Sequence, residues 1–183
     1  MTRVPNTIET ATGRPFDYFN PVVEISDVAH GLSHVCRFAG HTTKFFSVAE
    51  HSLIVHALVS EMEPRLAGAA LFHDGHEAYL GDIPTPLKDI VGEAYTELVQ
   101  GIDAAVGLAA GIDPADFRHP IVKAADDLAV VFEAAHFKEG PGWRFARAMR
   151  HEQATRVVDW RLGLGFEDVR ERFLVAWEGC SGG

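Results

Sequence analysis

Leu66-Ala67-Gly68-Ala69-Ala70-Leu71-Phe72-His73-Asp74-Gly75-His76-Glu77-Ala78-Tyr79-Leu80-Gly81-Asp82 runs from an apolar, Ala-rich segment straight into a cluster of titratable side chains. The composition predicts a buried helix from about Pro64 to Tyr79 that stops at Gly81. A core helix does not normally end in a His-Asp pair with a Glu three residues on, because burying such groups unpaired is costly. A cation among them would resolve the conflict. Pro84-Thr85-Pro86 then restarts the chain as a third helix, with Thr85 as N-cap and Pro86 at the first helical position. Asp82 is thereby left in a short loop between helices.

On the N-terminal side, Val48 to Val59 has helical apolar spacing, with Val48, Ser52, Val55 and Val59 on one face and Ala49, Leu53 and His56 beside them. Ser47 is its predicted N-cap, and Glu50 three residues later completes a capping box. Thr7 to Pro21 reads as a small hairpin around the turn Thr12-Gly13-Arg14-Pro15. Further helices are predicted over Glu93–Ala109, Pro120–Phe137, Trp143–Leu162 and Phe166–Trp177, separated by Gly- and Pro-containing breaks. The fold class expected is all-α, a helical bundle with a small N-terminal β-hairpin, in a single domain.

The 183 residues are 47% hydrophobic and 23% charged, the balance of a globular chain with a sizeable core. A formal charge of -10 argues against a partner such as a nucleic-acid polymer, which requires clustered Lys and Arg. Small phosphorylated substrates remain compatible with it. No segment approaches the roughly 18 consecutive apolar residues of a membrane span, and Met1 to Thr7 lacks the apolar core of a signal peptide. Cys36 and Cys180 lie far apart and suggest neither a disulfide framework nor a thiolate zinc site. A soluble, cytoplasmic protein without membrane contact is the expectation.

His51 alone would read as a hydrogen-bonded core histidine. It is accompanied by His73 and Asp74 on the next helix and by Asp126, which follows Lys123-Ala124-Ala125 in a largely apolar helix. Two imidazoles and two carboxylates from three helices form a mixed nitrogen and oxygen shell. Such a shell suits one divalent cation such as manganese, cobalt, iron, zinc or magnesium, with positions left for water or substrate.

In this order the residues resemble the HD-domain metal-dependent phosphohydrolases, whose ligands are a lone His, an adjacent His-Asp pair and a distant Asp. The likeness is closest to the YfbR-like 5'-deoxynucleotidase subfamily. It is carried by Ser47-Val48-Ala49-Glu50-His51-Ser52, by His73-Asp74-Gly75-His76-Glu77 leading into Gly81-Asp82-Ile83-Pro84-Thr85-Pro86-Leu87-Lys88, and by Val122-Lys123-Ala124-Ala125-Asp126. On this resemblance residues 1–183 form one HD domain. Its parts are a hairpin segment over 1–24, a metal-site core over 27–133 and C-terminal helices over 134–183. The metal ligands implied are His51, His73, Asp74 and Asp126.

Glu77 lies four residues after His73 and so on the same helical face, where a carboxylate can approach metal-bound water or merely orient a ligand. The resemblance implies that Glu77 and Asp82 carry the proton traffic, without saying which serves the attacking water and which the leaving oxygen. Arg37 and Phe38 match an arginine-aromatic pair that contacts substrate phosphate and sugar in the subfamily, where Trp is usual in place of Phe38. Asp82, Thr85 and Lys88 are further candidates for substrate contact. Of the other histidines, His30, His34, His41, His56, His76, His119, His136 and His151 have no spacing that requires a metal. His76 and His119 sit in no recognisable ligand block, which favours a single metal. The chain has Glu77-Ala78 where guanosine-tetraphosphate hydrolases carry Glu-Asp, and it lacks the Gly-Tyr-Pro block of cyclic-dinucleotide phosphodiesterases.

The leading expectation is hydrolysis of deoxyribonucleoside 5'-monophosphates to nucleoside and phosphate. A deoxynucleoside triphosphate triphosphohydrolase is the near alternative, since compact phage dATP-degrading enzymes of the DatZ group are similar in length and ligand order. A nucleotide-binding module without turnover is the third. By analogy a homo-oligomer is expected, with Phe166, Phe173, Leu174 and Trp177 serving either an interface or the core.

Overall fold

The N-terminal alternation closes as a hairpin in the computed structural model, which describes residues 6–140 and 164–181. Strands β1 (Thr7–Glu9) and β2 (Pro15–Asp17) pair antiparallel, with Ile8 opposite Phe16. Gly13, at φ 78°, turns the chain through the left-handed region that glycine tolerates. The hairpin is tied down by polar and aromatic contacts. Buried Asp27 accepts the Thr12 N–H at 2.9 Å and the Thr12 hydroxyl at 2.8 Å. Phe16 stacks on Tyr79 with centroids 3.8 Å apart, and the Tyr18 hydroxyl donates to the Tyr79 carbonyl at 3.0 Å. The hairpin therefore braces the short segment that carries Glu77.

Helix α1 (Ile25–His34), which the sequence reading did not assign, buries Val28, Ala29 and Leu32. After it, Cys36 and Ser47 pair as an isolated antiparallel bridge, closing the loop between them and placing Arg37 beside the start of α2 (Val48–Met62). The expected capping box is present. The Glu50 N–H donates to Ser47 Oγ at 3.2 Å, and the Ser47 N–H donates to Glu50 Oε2 at 2.9 Å. Val48, Val55 and Val59 face the core, as their spacing predicts.

The single helix expected from Pro64 to Tyr79 is broken. A 3-10 turn at Pro64–Leu66 leads into α3 (Ala67–Phe72), and a tight turn at His73–His76 separates it from α4 (Glu77–Leu80). Two local bonds replace the helical ladder there: the Gly75 N–H reaches back only to the Phe72 carbonyl, at 2.8 Å, and the His73 ring Nδ1 lies 2.8 Å from the Ala70 carbonyl. Val106 packs over Gly75 so closely that a Cβ would lie 2.9 Å from its Cγ1. Helix α5 (Thr85–Val91) also departs from expectation, because Pro84 rather than Thr85 precedes its first residue. The Pro84 carbonyl accepts from Leu87 and Lys88 at 2.8 and 3.0 Å, so the helix begins one residue early; Pro86, in its first turn, has no N–H to leave unpaired.

Helices α6 (Glu93–Ala110), α7 (Pro120–Phe137) and α8 (Phe166–Ser181) follow the predicted spans, α8 running four residues further. The helix expected over Trp143–Leu162, with His151, lies outside the described residues. Phe173 is fully buried edge-on against Phe72, and Leu174 and Trp177 pack on the same core, whereas Phe166 is exposed. Among the described residues no helix is long and apolar enough to cross a membrane.

The contact between α1 and α4 is set by Gly31, where an added Cβ would lie 2.8 Å from the Ala78 carbonyl oxygen and 2.9 Å from its Cβ. Gly31→Ala should destabilise the fold by about 1–3 kcal/mol through overpacking. Gly101→Ala, on α6 with nothing within 4 Å of the new methyl, should be neutral or stabilising by up to about 1 kcal/mol. Thermal melts of both variants check this; equal shifts would mean that the α1–α4 approach is not tight.

Candidate metal centre

Four side chains from three regions of the bundle converge at one point. His51 is fully buried mid-way along the first half of α2, His73 and Asp74 open the turn after α3, and Asp126 sits on α7. His51 Nε2 lies 3.2 Å from His73 Nε2, 3.5 Å from Asp74 Oδ2 and 3.3 Å from Asp126 Oδ1; His73 Nε2 lies 3.2 Å from Asp74 Oδ2. Donors held tetrahedrally on bonds of about 2.0–2.2 Å stand about 3.3–3.6 Å apart, so this spacing fits a divalent cation. The outer ring nitrogens agree: His51 Nδ1 donates to Glu133 Oε1 at 2.6 Å and His73 Nδ1 to the Ala70 carbonyl. Both Nε2 lone pairs then face the centre.

The surrounding charges act in the same sense. Burial opposes ionisation of Asp74 and Asp126, but His73 and His51 hold both carboxyls below the usual carboxylate range. Burial and Arg37 resist charging of His51, yet Glu133, Asp126 and Asp74 outweigh them and raise its pKa well above the ordinary value. Nitrogen lone pairs and carboxylates crowded this closely attract positive charge, whether protons or a cation.

Arg37 and Phe38 reach the edge of this centre. Arg37 is buried, and its Nη2 lies 3.3 Å from Glu133 Oε2. Its Nη1 stands 3.8 Å from Asp82 Oδ1 and 4.0 Å from Asp74 Oδ2. Phe38 and Ala39 both adopt left-handed backbone, at φ 55° and 52°, a conformation that costs about 1–2 kcal/mol per non-glycine residue. Asp82 holds this turn, its Oδ2 accepting the Phe38 N–H at 2.7 Å. The Phe38 ring lies between two cations, Arg37 at 5.4 Å and Lys138 Nζ at 5.2 Å from its centroid.

A cavity of about 740 Å³ opens over the donors, lined by Arg37, Phe38, Asp74, Glu77, Asp82, Thr85, Lys88 and Asp126 among others. Glu77 is buried, with Lys88 Nζ 3.4 Å from its Oε1 and no protein partner for its Oε2. Burial, reinforced by Asp74 and Asp82, outweighs Lys88 and Arg37 and pushes its pKa well above that of an ordinary glutamate. A carboxyl of raised pKa beside the donor cluster is suited to acid-base work.

No family model matches the chain. An uncharacterised protein of Rhodobacter capsulatus is 42% identical over 135 residues, covering 67% of this chain and 68% of that protein. YfdR, an uncharacterised protein of Escherichia coli strain K12, is 32% identical over 172 residues, covering 91% of this chain and 93% of its own. The chain belongs to the YfdR family. Among solved structures, the cyanophage S-2L HD phosphohydrolase DatZ, bound to dA and one catalytic zinc ion, matches at a TM-score of 0.52 and 22% identity. The match covers 86% of this chain and 99% of that one. This YfdR-family chain therefore shares the fold of that cyanophage protein.

Asp74 and Asp126 line this cavity with the other expected site residues, and His51 and His73 lie behind them, within 3.2–3.5 Å of one or both carboxylates. Thr85 is exposed on the rim. The sequence reading missed Glu133, although it lies seven residues, two helical turns, beyond Asp126 and so shares its face of α7. It also missed Lys123 and Lys138 in the lining, and the bond from His76 Nδ1 to Asp103 Oδ1 at 3.0 Å. The pair with Asp103 occupies His76 Nδ1, while His76 also lies close enough to Asp74 and Glu77 to share a cation with them.

The raised pKa of Glu77 has a measurable sign. A group whose pKa rises on folding contributes stability that is fully present below its unfolded pKa, about 4.3, and is lost as pH rises through the folded value. In chelator-treated protein, the melting temperature of the wild type should fall relative to Glu77→Gln as pH rises above about 4.3. Parallel curves would show that Glu77 does not retain its proton in the fold.

Proposed function

We propose that the chain is a metal-dependent phosphohydrolase of small nucleotides, hydrolysing deoxyribonucleoside 5'-monophosphates to nucleoside and phosphate. The observation that carries this reading is the convergence of His51, His73, Asp74 and Asp126, at 3.2–3.5 Å, beneath a cavity that also holds a buried arginine and a buried glutamate. The likeness to a fold whose solved member binds dA and zinc supports the same substrate class. His51, His73, Asp74 and Asp126 would hold one divalent ion. When bound, that ion supplies Lewis acidity toward the phosphate and toward water.

The remaining steps fall to the chain's own residues. Arg37, oriented by Glu133 and Asp82, presents guanidinium N–H groups to phosphate oxygens. Phe38 forms an aromatic wall for the sugar, and Lys88 and Thr85 close the opposite rim. Glu77, its pKa raised by burial, can pass a proton to or take one from a group over the donor cluster through Oε2, which has no partner among the described residues. Asp82, expected to share the proton traffic, is bound by the Phe38 N–H; the geometry favours a role in holding Arg37 and Phe38 in place.

A second reading, a deoxynucleoside triphosphate triphosphohydrolase, draws support from Lys123 and Lys138 in the cavity lining, Lys123 pairing with Asp126 and Asp127 and Lys138 bonding the His41 carbonyl. Product analysis separates the two. Metal-stripped protein resupplied with manganese or cobalt should release orthophosphate from dAMP, dGMP or dTMP and not from AMP. Triphosphate from dATP would instead establish the second reading, and no product from any of them would leave a nucleotide-binding module. Asp126→Ala should lose both metal retention and activity; an active, metal-loaded variant would overturn the ligand assignment.

A further inference from the structure

We infer that Glu133 is a positioning residue that couples the candidate metal ligand His51 to the candidate phosphate-binding Arg37. The inference rests on the metal-centre reading above and adds to it a fixed link between cation and arginine. Glu133 is fully buried on α7, and its two oxygens are divided between two partners from distant parts of the chain. Oε1 accepts from His51 Nδ1 at 2.6 Å, and Oε2 faces Arg37 Nη2 at 3.3 Å. A carboxylate placed only to fill space at this depth would be among the costliest of choices, since a buried charge must be paired to persist. Here each oxygen has its own partner, His51 on one side and Arg37 on the other.

The geometry assigns Glu133 two effects at once. Accepting the Nδ1 proton fixes the tautomer and ring plane of His51, so that Nε2 points at the other donors. Anchoring Nη2 fixes the guanidinium plane, leaving Nη1 toward Asp82 and Asp74 at the cavity edge. Arg37 Nε has no hydrogen-bond partner among the described residues, so the orientation of the group depends on these carboxylates. Because α7 carries both Asp126 and Glu133, one rigid helix presents a ligand and the group that aims another ligand. The spacing between cation and arginine, which must match a phosphate group spanning them, is thereby set within a single element.

Two binding measurements on chelator-stripped, full-length protein test this: cobalt(II) affinity by titration, and inorganic phosphate affinity of the cobalt-loaded protein by calorimetry. Glu133→Gln should lower cobalt affinity by about 10- to 100-fold, the usual effect of losing such an outer partner. It should also weaken phosphate several-fold with cobalt saturating. Since Glu133 acts on phosphate through Arg37, the double variant Glu133→Gln/Arg37→Gln should bind phosphate no more weakly than Arg37→Gln alone. A role confined to packing would lower the melting temperature and leave both affinities within twofold of wild type, which overturns the inference, as would additive phosphate losses. If Glu133→Gln does not fold, the zinc-loaded wild type decides the matter. A slowly exchanging His51 Nδ1 proton far downfield in the NMR spectrum supports the link to Glu133, and its absence refutes it. Wild-type protein that binds no cobalt would instead bring down the metal-centre reading itself.

Discussion

His73 Nε2, Asp74 Oδ2 and Asp126 Oδ1 each stand 3.2–3.5 Å from His51 Nε2, and this crowding of three parts of the chain is the constraint on which the rest of the structure turns. Without a cation or protons between them the lone pairs and negative charges would repel, and the burial of both imidazoles limits how far water can relieve the cost. The surrounding architecture keeps them together. Glu133 and the Ala70 carbonyl hold the two rings by their outer nitrogens, and Arg37 lies against three of the carboxylates.

Holding the donors there requires departures from regular structure. The helix that begins at Ala67 must stop at Phe72 so that His73 and Asp74 can turn inward, and the Gly75 amide and His73 ring supply the bonds that the lost ladder would have made. Gly75 allows Val106 of α6 to press on this turn, and Gly31 allows α1 to press on α4. The hairpin closes the other side through Phe16, Tyr18 and Asp27. Rigid packing on three sides is what lets a four-residue helix present Glu77 at a fixed place.

The Arg37–Phe38 turn shows the same logic at the cavity edge. Two consecutive left-handed residues are unfavourable on their own, and the Asp82 carboxylate that accepts the Phe38 N–H offsets part of that cost. Strain held at this point orients an arginine and an aromatic ring over the donor cluster. Asp82 thus acts on the cavity through the backbone of another loop, a role invisible in the short motif that contains it.

Much of the fold was legible in the sequence because it rests on local rules. The Ser47–Glu50 capping box, the apolar face of α2 and the glycines and prolines that end the later helices are each decided within a few residues. The broken helix after Phe72 and the unassigned α1 were not legible, since Val106, Ala78 and the hairpin, all distant in sequence, decide them. For the site, the sequence by itself supplied the candidate donors and their order, His51, His73, Asp74 and Asp126, because metal chemistry restricts which residue types serve. Only the tertiary structure decided that Glu133 binds both His51 and Arg37, that Asp82 holds Phe38, and that Glu77 is buried beside other carboxylates. Those outcomes depend on which side chains meet across helices and on how much water is excluded between them, quantities that no spacing along the chain encodes.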